Sequence, residues 1–319
     1  MTIALQVTDL SKTFPLRTGL FGSSRAGVRA VRPLSFSVAE GETLGIVGES
    51  GCGKSTLARM LVGLLEPSTG HIEIAGKALD NADPAAFGRL IQYVFQDPIS
   101  SLNPRKSIRQ IMEVPLKRLH GMDKAQREAR IAEIFDSVNL RETFLDRYPH
   151  EFSGGQAQRI GIARGLAASP RIMVLDEPVS ALDVSVQAQV LNLLAALREE
   201  YTLTYLFISH DLAVVEAVSD RVMVLYFGAV VEIGDAKRIF KAPRHPYTKL
   251  LAASAPVVGR PLAPPEQKGT ELPDPLNPPV GCAFAGRCPK ATDLCRTEDP
   301  ALRDMGEDHL AACHHPEEA

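Results

Sequence analysis

Apolar and polar positions alternate along this chain in two rhythms, one of strands and one of helices. Residues 3–10 and 34–47 are rich in Ile, Val, Leu and Phe and predict strands. Between them "RTGLFGSSRAG" is rich in Gly and Ser and predicts a loop. "ETLGIVGESGCGKSTLARMLVGLL" predicts a strand, a glycine-rich turn and a helix, with Leu57, Met60, Leu61 and Leu64 at helical spacing. Residues 105–147 are mostly of helical pattern, and Ile131, Ile134, Phe135 and Val138 share one face there. "RIMVLDEP" and "LTYLFISHD" are short apolar runs that end in acidic or polar residues, the pattern of buried parallel strands. A helix, "VSVQAQVLNLLAALREEY", lies between them, and "DRVMVLYFGAVVEIGD" predicts a hairpin turning near Gly228.

The pattern breaks after residue 254. Eight prolines fall between positions 256 and 279, a density that excludes a regular helix or a central strand. Residues 255–280 are therefore expected to form an extended linker between a first domain, 1–254, and a terminal region, 281–319. Composition changes little in this picture: 45% hydrophobic and 23% charged residues with a formal net charge of −3 are ordinary for a globular protein and give no basic footprint for nucleic acid. The longest apolar run, Val222–Val231, has ten residues, where a membrane-spanning helix needs about 20. The opening "MTIALQVTDLSKTF" lacks the pattern of a signal peptide. The expectation is a chain that does not itself cross a membrane and resides in the cytosol, where thiols stay reduced.

"GESGCGKS" fits G-x-x-x-x-G-K-S between a predicted strand and a predicted helix. Gly48, Glu49, Ser50, Gly51, Cys52, Gly53, Lys54, Ser55 and Thr56 would surround phosphate oxygens with backbone N–H groups and the positive end of the helix. Lys54 would reach the β- and γ-phosphates, and Ser55 would ligate Mg²⁺. "RIMVLDEP" ends its strand in Asp176 and Glu177, which such a position would aim at the nucleotide crevice of an open α/β sheet. Asp176 would hold the Mg²⁺ shell and Glu177 would act as general base toward water. No N-K-x-D guanine-reading motif occurs, which argues against a GTPase.

"EFSGGQAQRIGIAR" then places Ser153, Gly154, Gly155 and Gln156 at the start of a second helix, an anion site without a lysine. This stretch resembles the signature of the ATP-binding-cassette (ABC) ATPases, with Phe152 where that family more often has Leu. Further pieces of the resemblance follow in order. Gln96 in "VFQDP" is similar to the family's Q-loop, which contacts Mg²⁺ and the membrane partner. "SALD", ending in Asp183, is similar to the D-loop of the dimer interface, and His210 in "ISHD" to the switch histidine at the γ-phosphate. Phe14 matches the aromatic that stacks on adenine, a contact worth ~1–3 kcal/mol in other systems; a core role for Phe14 is the rival reading. The resemblance covers residues 3 to about 250 and implies an α/β P-loop cassette: a mixed sheet with a RecA-like core, an antiparallel β subdomain and a helical subdomain at about 98–165.

"VFQDPISSLNPRKSI", "PHEFSGGQAQRIGIAR" and "HPYTKLLAASAP" resemble the oligopeptide/dipeptide branch of ABC importers, and in particular its F-type ATPase subunit. That implies ATP and Mg²⁺ as cofactors, a heterodimer with a second ATPase, two transmembrane permease subunits and, indirectly, an extracytoplasmic solute-binding protein. The chain would sit peripherally on the cytoplasmic face of a bacterial inner membrane. Solutes in the branch include di- and oligopeptides, glutathione, nickel complexes, opines and murein peptides. A soluble ABC ATPase of DNA repair or translation is the alternative, though the long coiled-coil insertion or second cassette of those proteins is absent here.

Four of the five cysteines, Cys282, Cys288, Cys295 and Cys313, lie in the last 38 residues. A cytosolic location disfavours disulfides, and such clustering disfavours incidental buried thiols, so metal binding is the favoured reading. The spacing C-x5-C-x6-C-x17-C lacks the close pair usual for zinc, and four thiolates suit a [4Fe–4S] or [2Fe–2S] cluster. "CAFAGRCP" also resembles the branch's C-terminal C-x-F-x-x-R-C-P tail, in which some members hold a cluster. An iron–sulfur cluster is the expectation and zinc the alternative, with His309, His314 or His315 able to replace a ligand. The terminal region is otherwise expected to be small and irregular.

Overall fold

The computed structural model describes residues 2–15, 27–79, 83–254 and 272–318. Most of the expected loop before residue 27, and residues 255–271 of the expected linker, lie outside the described residues. The chain begins with strands β1 (Ile3–Pro15), β2 (Gly27–Ala39) and β3 (Thr43–Val47), helix α1 (Lys54–Leu61), strands β4 (Thr69–Ile74) and β5 (Lys77–Ala78), helix α2 (Pro84–Gly88) and strand β6 (Ile91–Val94). Helices α3 (Ile108–His120), α4 (Lys124–Ser137) and α5 (Gly154–Leu166) follow, then β7 (Ile172–Asp176), α6 (Val184–Tyr201), β8 (Thr204–Ile208) and α7 (Leu212–Val218). The remaining elements are β9 (Arg221–Tyr226), β10 (Ala229–Asp235), α8 (Ala236–Lys241), α9 (Pro246–Ser254), α10 (Asp293–Thr297), β11 (Arg303–Asp304) and β12 (Leu310–Ala311).

Two sheets result. The first is antiparallel, in the order β2-β1-β4-β5; the second has eight strands in the order β11-β12-β10-β9-β3-β8-β7-β6. Pairing of β1 and β2 continues beyond the predicted bounds to Phe14↔Val28 and Pro15↔Gly27, while the predicted strand 34–47 is broken at residues 40–42 into the end of β2 and β3. In the second sheet β6, β7, β8, β3 and β9 are parallel neighbours. Every residue of β3, β7 and β8 is buried, which is why these segments are continuous apolar runs rather than alternating ones. The predicted hairpin forms between β9 and β10, with Phe227 (φ 46°) and Gly228 (φ 78°) both in the left-handed conformation that a two-residue turn requires.

Helices α3 and α4 form the predicted helical stretch. Ser107 and Asp123 cap their N-termini, and the side chains of Gln110 and Gln126 return to the backbone N–H of the capping residues. Ile108, Met112 and Leu116 of α3 meet Ile131, Ile134 and Phe135 of α4 in the core.

The terminal region is not wholly irregular. Strands β11 and β12 extend the eight-stranded sheet through the pairs Glu232↔Ala311 and Ile233↔Leu310. The edge of β10 would otherwise present unpaired backbone groups. Glu232 of β10 is fully buried and accepts hydrogen bonds from the N–H groups of Arg244 (2.7 Å) and His245 (2.9 Å). His309 Nε2 lies 2.6 Å from the same carboxylate, so one buried acid joins β10, the segment before α9 and the terminal region.

Glu232→Ala leaves those buried donors without their acceptor, at ~1–3 kcal/mol for each. We expect the midpoint of urea unfolding to fall by an amount equivalent to about 3 kcal/mol or more; a variant as stable as the parent would show that this carboxylate anchors nothing.

Candidate nucleotide site

The glycine-rich turn lies between β3 and α1 in a backbone shape that side chains would block. A Cβ on Gly48 would sit 2.2 Å from the Leu225 carbonyl oxygen, and one on Gly53 (φ +104°) 2.4 Å from that of Ala30. Lys54 opens α1 and is buried, and its Nζ donates to the carbonyls of Gly48 (2.6 Å) and Glu49 (3.0 Å). Ser50, Gly51, Gly53, Lys54, Ser55 and Thr56 form one wall of a cavity of about 540 Å³. Two residues of the same turn point elsewhere. Cys52 is buried in the core, which raises its thiol pKa, and the Glu49 carboxylate is held by Arg287.

The facing wall holds Gln96, Glu177 and His210. Gln96 Nε2 donates to Glu177 Oε2 at 3.0 Å, and His210 Nδ1 lies 3.2 Å from the same oxygen. Glu177 follows β7 directly in a left-handed conformation (φ 49°) that costs an ordinary residue free energy. Its N–H donates to the Ile208 carbonyl, and its own carbonyl accepts from the Ser180 N–H and hydroxyl. Flanking strand ends thus fix the acid between the amide and the imidazole.

Asp176, the last residue of β7, is almost fully buried and does not line the cavity. It accepts a hydrogen bond from the Tyr93 hydroxyl. Burial first, and then this carboxylate, push the Tyr93 pKa well above the ordinary phenol value. Tyr93 escaped the sequence reading. Its signal was a tyrosine inside the short apolar strand that leads to Gln96, where a hydroxyl needs a partner.

Ser153 caps α5, and its N–H donates to Gln156 Oε1 at 3.1 Å. A Cβ on Gly155 would lie 2.4 Å from Val186 Cγ1, so the two glycines let α5 approach the start of α6 closely. Asp183 caps α6, and Val184 beside it is 83% exposed. Ser153, Gly154, Gly155, Gln156 and Asp183 are all absent from the walls of their own chain's cavity. Phe14 is absent too; it is 40% exposed on β1, with Lys12 Nζ 5.4 Å from its ring centre. Ala30, on β2 near the Val28 that pairs with Phe14, does line the cavity.

Residues 31–180 match the ABC transporter family, and residues 231–295 match the oligopeptide/dipeptide transporter C-terminal region. The oligopeptide transport ATP-binding protein AppF of Bacillus subtilis is 46% identical, over 97% of this chain and 96% of that protein. The dipeptide transport ATP-binding proteins DppF of Haemophilus influenzae and Escherichia coli are 48% and 47% identical, covering 98% and 97% of this chain and 97% and 93% of their own lengths. This chain belongs to the ABC transporter ATP-binding family, in its oligopeptide/dipeptide branch. Among solved structures, cbiO1 from Clostridium perfringens superposes with a TM-score of 0.65 at 27% identity, over 76% of this chain and 92% of that one. The cassette MJ0796, in a dimeric post-hydrolysis state bound to ADP and Pi, gives 0.64 at 29% identity, over 73% and 98%.

Two further cavities lie among the described residues. A mostly apolar groove of about 730 Å³ runs between β6 and α3, with Tyr93, Phe95, Ile111, Val114, Pro115 and Leu119 on its walls. A much smaller cavity is lined by Cys282, Cys288, Cys295 and Cys313, together with His245, His314 and His315. All five cysteines are free thiols. Burial first, and then neighbouring cysteines, raise the pKa of Cys282, Cys288 and Cys313, the last to about 11. Among the described residues no three Cys, His, Asp or Glu side chains are disposed to hold a metal ion. The four cysteines share this cavity without the closed ligand set expected of a cluster. His309 is committed to Glu232, the ring of His314 lies 3.0 Å from the Glu298 carbonyl, and that of His315 lies 2.9 Å from the Thr292 hydroxyl.

Lys54→Ala removes the buried ammonium group of the cavity wall. A charge-assisted contact of this kind contributes ~1.5–3 kcal/mol, so equilibrium titration should show at least about tenfold weaker ATP binding. An unchanged dissociation constant would contradict the phosphate-loop assignment.

Proposed function

We propose that this chain hydrolyses ATP to power the import of peptides or related small solutes through a membrane ABC transporter. The observation that carries the reading is the meeting of Lys54, Gln96, Glu177 and His210 around one cavity, in a chain 46–48% identical to named peptide-transport ATP-binding proteins. No feature favours a soluble ATPase of DNA repair or translation.

Lys54 and the first N–H groups of α1 hold the β- and γ-phosphates. Glu177 takes the proton of the water whose oxygen attacks the γ-phosphorus. The bond to the β-phosphate oxygen breaks as the new one forms, leaving ADP and phosphate. Gln96 and His210, both on Glu177 Oε2, orient that acid and lie where the γ-phosphate charge is handled. Ser55 and Gln96 of the cavity wall would hold Mg²⁺, with buried Asp176 behind the wall holding its shell, and the ion would supply charge neutralisation when bound. Tyr93 pins Asp176 for that task. Phe14 is the candidate platform for adenine.

Ser153, Gly154, Gly155 and Gln156 lie off their own cavity, which leaves them to complete the nucleotide site of a second ATPase subunit, whose own signature completes this one. Asp183 and exposed Val184 then fall at that junction. The dimeric form of the MJ0796 cassette supports this arrangement, and the F-type resemblance favours a heterodimer. Binding of ATP closes the pair, and hydrolysis releases it. The apolar groove, whose wall includes Phe95 just before Gln96, suits one of two transmembrane permease subunits, which a solute-binding protein would serve from the other side. Among the described residues no helix is long and apolar enough to cross a membrane, which fits a peripheral position on the cytoplasmic face of a bacterial inner membrane.

The four-cysteine cavity would be the site for an iron–sulfur cluster, with zinc as the alternative. Soft thiol donors suit both, and loading would expel the protons that burial holds on the thiols. The ligands must draw together for it. Anaerobically prepared protein should absorb at about 400 nm and contain iron; colourless protein with one zinc would overturn the cluster, and protein free of both metals would overturn the site.

Glu177→Gln should bind ATP while steady-state hydrolysis falls roughly 10²–10⁴-fold. Turnover like that of the parent protein would remove Glu177 from the role of base.

A further inference from the structure

The nucleotide site does not use Phe284 or Arg287, the two non-cysteine residues that stand out in "CAFAGRC". Both project from the loop between Cys282 and Cys288 toward the phosphate loop. Arg287 forms a fork with Glu49: Nη1 donates to Oε2 at 2.8 Å and Nη2 to Oε1 at 2.9 Å. The guanidinium lies 5.8 Å from the Tyr226 ring centre and 5.6 Å from that of Phe284, and its side chain is only 10% exposed. Tyr226, Tyr247 and Phe284 pack ring against ring with centres 4.5–5.5 Å apart. Tyr247 completes the clamp by accepting the Glu49 N–H at 2.9 Å.

Glu49 is the second residue of the glycine-rich turn, and its carbonyl accepts a hydrogen bond from Lys54. Unpaired, its carboxylate would place negative charge beside a site built for polyphosphate and would compete for Lys54. The fork neutralises that charge and fixes the turn from outside. We propose that Arg287 is a positioning residue for the phosphate loop, through which the cysteine-bearing region sets the affinity of the site for ATP. The inference rests on the nucleotide-site reading above. It also makes the Cys282–Cys288 loop a lever: whatever reorganises that loop moves Arg287, and Glu49 with it.

The test is a double-mutant cycle on the full-length protein, titrated with magnesium and a non-hydrolysable ATP analogue. Arg287→Ala should weaken binding about tenfold and raise KM for ATP more than it lowers kcat. In a Glu49→Gln background the same substitution should change binding less than about threefold, because no carboxylate is left exposed. Arg287→Lys, which keeps charge but not the fork, should fall between parent and Ala, and serves if the Ala variant does not fold. Replacing Cys282 and Cys288 by Ser should weaken binding in the parent and not in Glu49→Gln. Equal losses in both backgrounds, or binding unaffected by Arg287→Ala, would overturn the proposal while leaving the nucleotide site intact. A parent protein that does not bind the analogue would overturn both.

Discussion

The parallel register of four strands is the constraint on which the site depends. Val94 of β6 pairs with Leu175 of β7, Leu175 with Phe207 of β8, and Phe207 with Gly45 of β3. Each strand leaves the sheet at nearly the same height. Two residues after this row come Gln96 and Glu177, and three residues after it come Gly48 and His210. Residues scattered over more than half the chain therefore meet at one edge, and no long side-chain reach is needed. The register is itself held by burial, since these runs are apolar on both faces and a shifted pairing would expose some of them. At the ends of the strands, where backbone partners run out, the chain accepts the left-handed Glu177. That strain is repaid by hydrogen bonds to the neighbouring strand and to Ser180.

The phosphate loop is shaped from both sides. From within, glycines allow the carbonyls of Ala30 and Leu225 to approach more closely than any Cβ would permit. From outside, Arg287 holds Glu49 by its carboxylate and Tyr247 holds it by its N–H. The same outer layer continues into the buried Glu232, which holds His309 and hence β12 against the sheet edge. The cysteine-bearing region is thus fastened to the cassette at the phosphate loop and at the sheet edge, and also by the ion pairs Arg32–Asp299, Arg238–Glu307 and Lys249–Glu317.

Much of this was legible in sequence because its causes are local. The glycine-rich turn, the acids ending a buried strand and the hairpin at Gly228 each follow from a few adjacent residues. The rest depends on partners far apart in the chain. Tyr93 meets Asp176 across 83 residues, and Glu49 meets Arg287 across 238. No periodicity or motif reports such a pairing. The strands of the terminal region were missed for a related reason: they are two residues long and exist because β10 offers an edge.

The central claim, that one ring of side chains surrounds the γ-phosphate, is tested most directly by a structure of the assembled protein with magnesium and a non-hydrolysable ATP analogue. The account predicts Lys54, Gln96 and His210 of one chain within hydrogen-bonding reach of the γ-phosphate or its metal, with Glu177 facing the position of the attacking water. It also predicts that the helix N-terminus at a signature serine of a second cassette touches the same phosphate. A nucleotide seated away from the edge formed by β3, β7 and β8, or one capped by Ser153 of its own chain, would contradict it.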